Sequence, residues 1–444
     1  MDIILETWSA FCLLAVMPFT AGWMELLIKF IPFVLFLELP VYLFILLGVV
    51  RYALRQDAAV REERTFFPRV SCLITCYGEG NDVRRTILSL AEQRYSGPIE
   101  IIALIDGAVD NRDTHQAALT MQPVVSRLGN RSLMVVPKWQ RGGRVSSLNL
   151  GLHLAKGSIV MALDGDTSFD NDMVRHATRH FEDPHVVGVA GCLRVRNWRV
   201  NLITRLQAIE YLLSIQLSRV GLSEFNTVNN ISGAFGVFRR SFIDKIGGWD
   251  TGTAEDLDLT LRIKNYFGRH PHLRIVFEPH AIGHTDVPAT WRGFFKQRQR
   301  WDGDLYYLYI RKHPLSFSPA LLGWRNLILQ VWTGLFFQVV MPFIILFYSL
   351  ALFFLYPPAL VMAIWFLVYL FYLLISIMLF AAHVALVSDR PAEDLRLAWL
   401  LPLLPHFTFF QRIGSALATM REITCRSHLD SSMAPWWVLR KSKF

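Results

Sequence analysis

Residues 158–166, Ser-Ile-Val-Met-Ala-Leu-Asp-Gly-Asp, decide the fold: a short apolar run breaks off at two carboxylates one residue apart. A continuous run of this length, too short for a helix, reads as a strand buried on both faces. Such strands belong to open sheets whose ligands gather at the strands' carboxyl ends. Upstream the pattern repeats. Val70–Cys76 ends at Tyr77-Gly78-Glu79-Gly80 and leads, from Asp82, into a helical pattern through Gln93. Ile99–Ile105 ends at Asp106-Gly107 and is followed by a helical stretch to Leu128, a strand over Ser132–Val136 and a helix over Ser146–Ala155. Strands alternating with helices predict right-handed crossovers, hence an α/β domain with a mostly parallel sheet.

On that topology Asp106, Asp164 and Asp166 each follow a buried strand and can converge on one cleft. Taken alone, Asp106 is also an ordinary turn former or N-cap. The Asp164/Asp166 pair says more, because adjacent carboxylates repel unless a hard divalent cation lies between them and a phosphate. Asp170 and Asp172 read as caps of the next helix. Gly142-Gly143-Arg144-Val145-Ser146-Ser147-Leu148-Asn149 puts a guanidinium at a helix start, where a phosphate or nucleotide edge can be met. Ala254-Glu255-Asp256-Leu257-Asp258 is either an acidic helix N-terminus or a carboxylate site. Lys296-Gln297-Arg298-Gln299-Arg300-Trp301, preceded by Trp291, Phe294 and Phe295, has the composition of an interfacial amphipathic helix.

The rest of the chain is of another kind. Of 444 residues 53% are hydrophobic and 18% charged, which excludes an ordinary soluble single domain. Residues 51–320 hold 35 basic and 27 acidic side chains, so nearly all of the net +9 resides in this central block. Residues 7–28 and 30–50 read as two spans in a tight hairpin; a cleaved signal is the competing reading of the first, but it lacks a basic leader. No charged residue occurs over 326–388, and Pro357-Pro358 divides that run into a second hairpin. Leu397–Met420, with Pro402, Pro405, His406, Gln411 and Arg412, fits a broken span, a re-entrant segment or an interfacial helix. Arg51, Arg55, Arg61, Arg64, Arg311, Lys312 and Arg325 flank the block and assign it to the cytoplasm. Arg421, Arg426, Arg440, Lys441 and Lys443 assign the tail there as well, whereas a spanning fifth segment would put it outside. The five scattered cysteines read as reduced, packed thiols.

In order and spacing these clusters resemble the motif set of processive family 2 glycosyltransferases, membrane synthases of β-linked polysaccharides such as poly-N-acetylglucosamine, hyaluronan, chitin and cellulose. The resemblance runs over about residues 66–305 and is nearest to bacterial poly-N-acetylglucosamine synthases. It implies a GT-A-like cytosolic domain inserted between N- and C-terminal transmembrane helices. The divisions are then 1–50 (hairpin), 51–290 (catalytic domain), 291–320 (interfacial helices), 321–420 (transmembrane region) and 421–444 (basic cytosolic tail). By the resemblance Tyr77, Glu79, Asp106, Arg144, Asp164, Gln297 and Arg300 bind the donor. Gly78 and Gly80 replace the more usual Asn and acidic residue, and Arg144 a frequent Lys. Asp164 and Asp166 form the DxD motif that binds Mg²⁺ or Mn²⁺. Glu255 and Asp256, after Ala254 in place of Thr, form the TED motif, with Asp256 as general base. Ser232, Gly233 and Trp301 meet the acceptor, and Gln297, Arg300 and Trp301 complete QxxRW.

The implied reaction is inverting, processive transfer from a UDP-sugar, for which UDP-N-acetylglucosamine is the best match, to a growing polysaccharide that leaves through the lipid bilayer. The implied location is the inner (plasma) membrane, with a small membrane accessory subunit as a possible partner and no nucleic acid. Three alternatives stand beside it: a β-glucan or other exopolysaccharide synthase using another UDP-sugar, a non-processive transferase to a lipid carrier, and a transporter with a nucleotide-binding domain. The last fits poorly with spans that hold so few ionisable residues.

Overall fold

The computed structural model describes residues 2–17, 37–58, 66–250 and 253–429. An eight-stranded sheet lies at its centre, in the order β3-β2-β1-β4-β7-β6-β8-β5. The strands are β1 Val70–Cys76, β2 Ile99–Asp106, β3 Arg131–Lys138, β4 Ile159–Asp164, β5 Ser168–Phe169, β6 Val186–Val195, β7 Phe235–Arg239 and β8 Arg274–Thr285. β3, β2, β1 and β4 are parallel neighbours, as are β6 and β8. β7 runs against β4 and β6, and β5 against β8, so the sheet is mixed where a mostly parallel one was expected. The reversal of β7 positions the site. Its first residue, Phe235, pairs with Leu163, which brings Ser232 and Gly233 to the end of the sheet that carries Asp164.

β1, β2 and β6 are buried at every position, as their mainly apolar sequences require, and the charged exceptions Glu100, Asp106 and Arg194 are hydrogen-bonded or ion-paired. Val70, Cys72, Ile74 and Cys76 enter one apolar cluster and Leu73 the other, the two-residue alternation of a strand between two helical layers. The five cysteines are free; Cys72, Cys76 and Cys192 are packed as expected, whereas Cys12 and Cys425 are exposed.

Among the described residues, Trp324–Leu355 and Pro358–Leu386 are long and apolar enough to cross a membrane. Only 28% and 22% of their most apolar windows are buried, unlike the core helices of a soluble protein. Phe353, Phe354, Leu355 and Leu374 are among the side chains left exposed. Of the expected N-terminal hairpin, the helix Asp2–Met17 packs on Pro358–Leu386, with the Phe11 and Phe366 rings 4.9 Å apart. The helix Leu39–Ala58 packs on Ser218–Glu224 so closely that a Cβ on Gly48 would lie 2.2 Å from the Gly221 carbonyl oxygen. Residues 18–36, Arg61, Arg64, Arg440, Lys441 and Lys443 lie outside the described residues.

After Pro358–Leu386 the chain meets the sheet domain again, where Arg194 of β6 pairs with Asp389 and Asp394. A 3₁₀ turn over Leu395–Leu403 then leads away and the helix Leu404–Cys425 leads back. This helix continues past Met420, the expected end of the transmembrane region. At the far point the Tyr369 hydroxyl donates to the Pro402 carbonyl (3.2 Å), and the Trp365 and Phe409 rings are 5.4 Å apart. On the way back Arg412 donates to the Phe337 carbonyl (2.7 Å), and Glu422 ends beside Arg311 at 2.8 Å.

Candidate active site

The carboxyl ends of β1, β2 and β4 and the start of β7 open on one mouth, and Arg144 bridges its acidic groups. The helix expected from Ser146 begins earlier, at Gly143, and this first turn points Arg144 across β1. Its guanidinium pairs with Asp164, lies 2.6 Å from a Glu255 oxygen, and donates to Thr75 Oγ1 and the Gly233 carbonyl. Glu255 opens the helix Glu255–Lys264, and burial pushes its carboxyl up to about 7 against the pull of Arg144. Asp256 accepts from the Gly233 amide (3.0 Å), the Asn230 amide (3.0 Å) and the Leu257 amide (2.8 Å), so both of its oxygens are oriented. Gly233 is tightly placed, since a Cβ there would lie 3.0 Å from Glu255 Oε1. Ala254, just before, adopts a left-handed φ of 51°, a conformation that costs a non-glycine residue about 1 kcal/mol or more.

Gly165, between the two aspartates, donates to the Thr75 carbonyl (3.1 Å) and accepts from the Thr86 hydroxyl (2.8 Å). A Cβ at Gly165 would lie 3.1 Å from the Glu79 carboxyl carbon, so Glu79 stands beside the pair. Burial, with Asp166 and Asp164 adding to it, pushes Glu79 up to about 7, and its Oε2 is buried without a hydrogen-bond partner. Burial and the Asp164 charge likewise raise the Asp166 carboxyl. Among the described residues no group of three or more His, Cys, Asp or Glu side chains is arranged as a metal centre. The donor chemistry nonetheless fits a hard cation: oxygen ligands, mutual repulsion, and an unpartnered carboxylate oxygen alongside.

Asp106 has the turn-forming role that the sequence also allowed. Its carboxylate accepts from Lys138 (2.6 Å), Gly142 N (2.9 Å) and Gly143 N (2.8 Å), which fixes the turn that launches Arg144. Tyr77 is exposed at the rim, with the Arg141 guanidinium 4.2 Å from its ring centroid, an open aromatic and cationic surface beside the mouth. Asn111 ties this rim down by accepting from the Gly78 amide (3.1 Å). The expectation that Asp170 caps a helix is overturned: it pairs with His284 (2.9 Å) and Arg390 (2.5 Å), joining β8 to the segment after the second candidate span. Asp172 occupies the N-cap position but makes no capping hydrogen bond.

Gln297, Arg300 and Trp301 ride on the helix Trp291–Tyr306. Arg300 and Trp301 are exposed, and the Gln297 side-chain oxygen is buried without a hydrogen-bond partner. Arg298, which the motif leaves unspecified, is buried against Phe294 and Trp301 and paired with Glu210. Neither Arg298 nor Glu210 stood out in the sequence, because their contact joins positions far apart in the chain.

Residues 159–380, half of the chain, match the glycosyl transferase family group 2. The chain belongs to that family. Among curated relatives, a poly-β-1,6-N-acetyl-D-glucosamine synthase of Staphylococcus aureus is 29% identical over 256 residues, 57% of this chain and 58% of the relative. The Staphylococcus epidermidis protein of the same name is 30% identical over 244 residues, 54% of this chain and 56% of the relative. The chain thus spans a little over half the length of the curated relatives it matches. A mannosyltransferase from Pyrobaculum calidifontis, solved in complex with GDP-Man and Mn²⁺, superposes with a TM-score of 0.50 over 86% of this chain and 99% of its own, at 20% identity. That likeness establishes the GT-A-like fold.

Proposed function

We propose that the protein is an inverting, processive glycosyltransferase of the plasma membrane. In this reading it transfers N-acetylglucosamine from UDP-N-acetylglucosamine to a growing β-linked poly-N-acetylglucosamine and moves the chain through the bilayer. The observation that carries the reading is the meeting of Asp164, Gly233, Glu255 and Asp256 around Arg144, in a chain whose relatives are poly-N-acetylglucosamine synthases.

Asp256 is the general base: it takes the proton of the acceptor hydroxyl as that oxygen attacks the anomeric carbon and the bond to the diphosphate breaks. Attack from the face opposite the leaving group converts an α-linked donor into a β-linked product without a covalent enzyme intermediate. Asp166 and Asp164 would hold Mg²⁺ or Mn²⁺, which supplies neutralising charge at the leaving diphosphate. Gln297 and Arg300 hold the diphosphate by charge-assisted and amide hydrogen bonds. Tyr77, Arg141 and Glu79 form the nucleoside side, with Asp106 holding the turn that carries Arg144. Ser232, Gly233 and Trp301 face the acceptor.

The ion pairs support a cytosolic catalytic domain between membrane segments. Arg51 and Arg55, at the end of Leu39–Ala58, reach Glu224 at 3.5 and 2.9 Å. Both ends of the 324–386 hairpin meet the same domain, through Lys264–Gln330 and Arg194–Asp389. Tyr369 lies about 17 residues from Leu386, about 25 Å along a helix at 1.5 Å per residue. Residues 395–425 therefore run from the Arg194 contact to the side of that hairpin and return along Trp291–Tyr306 to the side they left. We read them as re-entrant, a reading that supports a cytoplasmic tail.

The test is product analysis with the full chain in nanodiscs, supplied with Mg²⁺ or Mn²⁺ and a panel of nucleotide sugars, with and without neighbouring small membrane proteins. Long polymer from UDP-N-acetylglucosamine is expected. Polymer from UDP-glucose alone overturns the donor, and a single-sugar lipid overturns processivity. Asp256→Asn should lose transfer by at least about 100-fold, the usual scale for a positioned base, with UDP affinity kept. Activity within tenfold of wild type would remove Asp256 from that role.

A further inference from the structure

Trp301 is 41% exposed and so has little packing of its own to hold it. The guanidinium of Arg298 lies over it, 5.0 Å from the ring centroid, and also 5.3 Å from that of Phe294. Arg298 is in turn held by Glu210, and the same Glu210 oxygen accepts from Gln411 at 3.1 Å. Gln411 belongs to Leu404–Cys425, which grips the Trp291–Tyr306 helix at further points. Ser415 donates to Asp302 (2.6 Å), Arg421 to Gln299 (2.8 Å), and a Cβ on Gly414 would lie 2.9 Å from Phe295.

A buried ion pair is a poor stabiliser, because desolvation of both charges offsets most of their attraction. Apolar side chains of similar volume would hold two helices together as well. What an arginine adds is a flat cation that lies on an aromatic face in one orientation and is set there by a fork of hydrogen bonds. Glu210 Oε2 and Arg298 Nε are buried without hydrogen-bond partners, so the pair is not optimised for binding strength alone.

We propose that Arg298 is a positioning residue for Trp301. Glu210 and Gln411 fix the guanidinium, the guanidinium fixes the indole plane, and the returning membrane helix thereby sets the aromatic surface offered to the acceptor. The assignment of Trp301 to the acceptor rests on the proposed function; the orientation of its ring does not. The test has an arm for each.

The full chain is labelled with 5-fluorotryptophan in nanodiscs, and the Trp301 signal, one of 13, is assigned by its loss in Trp301→Phe. In Arg298→Lys and in Glu210→Gln the Trp301 resonance should move while the other tryptophans keep theirs and UDP affinity stays within about twofold. Polymer made by these variants should be shorter by about fivefold or more, the penalty expected of a misplaced acceptor. A Trp301 resonance unmoved in both variants overturns the proposal. So does a general shift of many tryptophans with a fall in thermal stability, which would make the pair a strut of the fold. If the wild-type chain yields no polymer, the proposed function fails while the fluorine signals still decide the role of Arg298.

Discussion

Arg144 places a permanent positive charge between Asp164 and Glu255, where the mouth is otherwise acidic. A cation arriving at Asp164 and Asp166 must then compete with this guanidinium for the Asp164 oxygen. Arg144→Met should therefore tighten binding of Mn²⁺ in the absence of nucleotide by about tenfold, or about 1.4 kcal/mol, while lowering transfer. Titration calorimetry with the metal alone measures the first effect, and unchanged or weaker metal binding would exclude the competition. The reach of the sequence at this scale is uneven for a physical reason. The place of Asp164 and Asp166 at a strand's end was legible because it is contained in nine residues. Arg144 was legible as a cation at a helix start, but its bridge to Glu255 joins residues more than a hundred positions apart. Asp106 was legible as a turn former, but nothing local announces that Lys138 and the Gly142-Gly143 amides donate to it.

Two elements connect the chemistry to the apolar helices, and each yields a measurement. The Glu255–Lys264 helix begins at the acidic mouth and ends on a buried lysine whose Nζ donates to Gln330 Oε1 at 2.7 Å. Burial lowers the Lys264 amine to about 7. The unfolded chain binds that proton up to about pH 10.4, so between the two values the unfolded state holds more protons and stability rises with pH. Thermal unfolding at pH 7 and pH 9 should show a stabilisation in wild type that exceeds that in Lys264→Met. Equal pH dependence in the two proteins would mean the amine is not held neutral. The helix Leu39–Ala58 meets the catalytic domain through Gly48 and Gly221, and a side chain there drives one helix off the other. Gly48→Val is expected to cost about 1–3 kcal/mol and to loosen the domain's docking, read as faster proteolysis between Ala58 and Phe66. This contact was not legible, because glycine in an apolar span reads as filler until its partner is known. β1 to β4 were legible to within a residue or two at each end, since short apolar runs broken off by turn residues mark them, whereas β5, β6 and β8 were not singled out as strands. The reversed β7 was not, because a short apolar strand carries no mark of its direction.

For the whole molecule, a re-entrant 395–425 segment makes a prediction about sidedness. Cys425 and Cys12 are the exposed thiols, and Cys12 sits on a helix packed along a candidate span. In a Cys12→Ser variant, a membrane-impermeant maleimide should label Cys425 in inside-out vesicles and not in right-side-out ones. Labelling from the outside would make the segment a full span. Membrane sidedness was the least legible property of the sequence, because the same prolines and polar residues suit a broken span, a loop or a surface helix. Contacts at both ends, from Asp394 to Arg194 and from Glu422 to Arg311, are the observation from which the re-entrant reading is proposed. Those contacts belong to a larger set: Arg55–Glu224, Arg390–Asp170 and Lys312 with Asp250 and Asp258 clasp the catalytic domain from other directions. A domain held at so many points is less like an enzyme on a leash than like a die bolted to its press. Under the proposed function, rocking the whole domain to advance a product by one sugar would require all of these clasps to open. In that reading the stroke falls to small parts beside the mouth, such as the Arg144 side chain and the left-handed turn at Ala254, while the frame stays still.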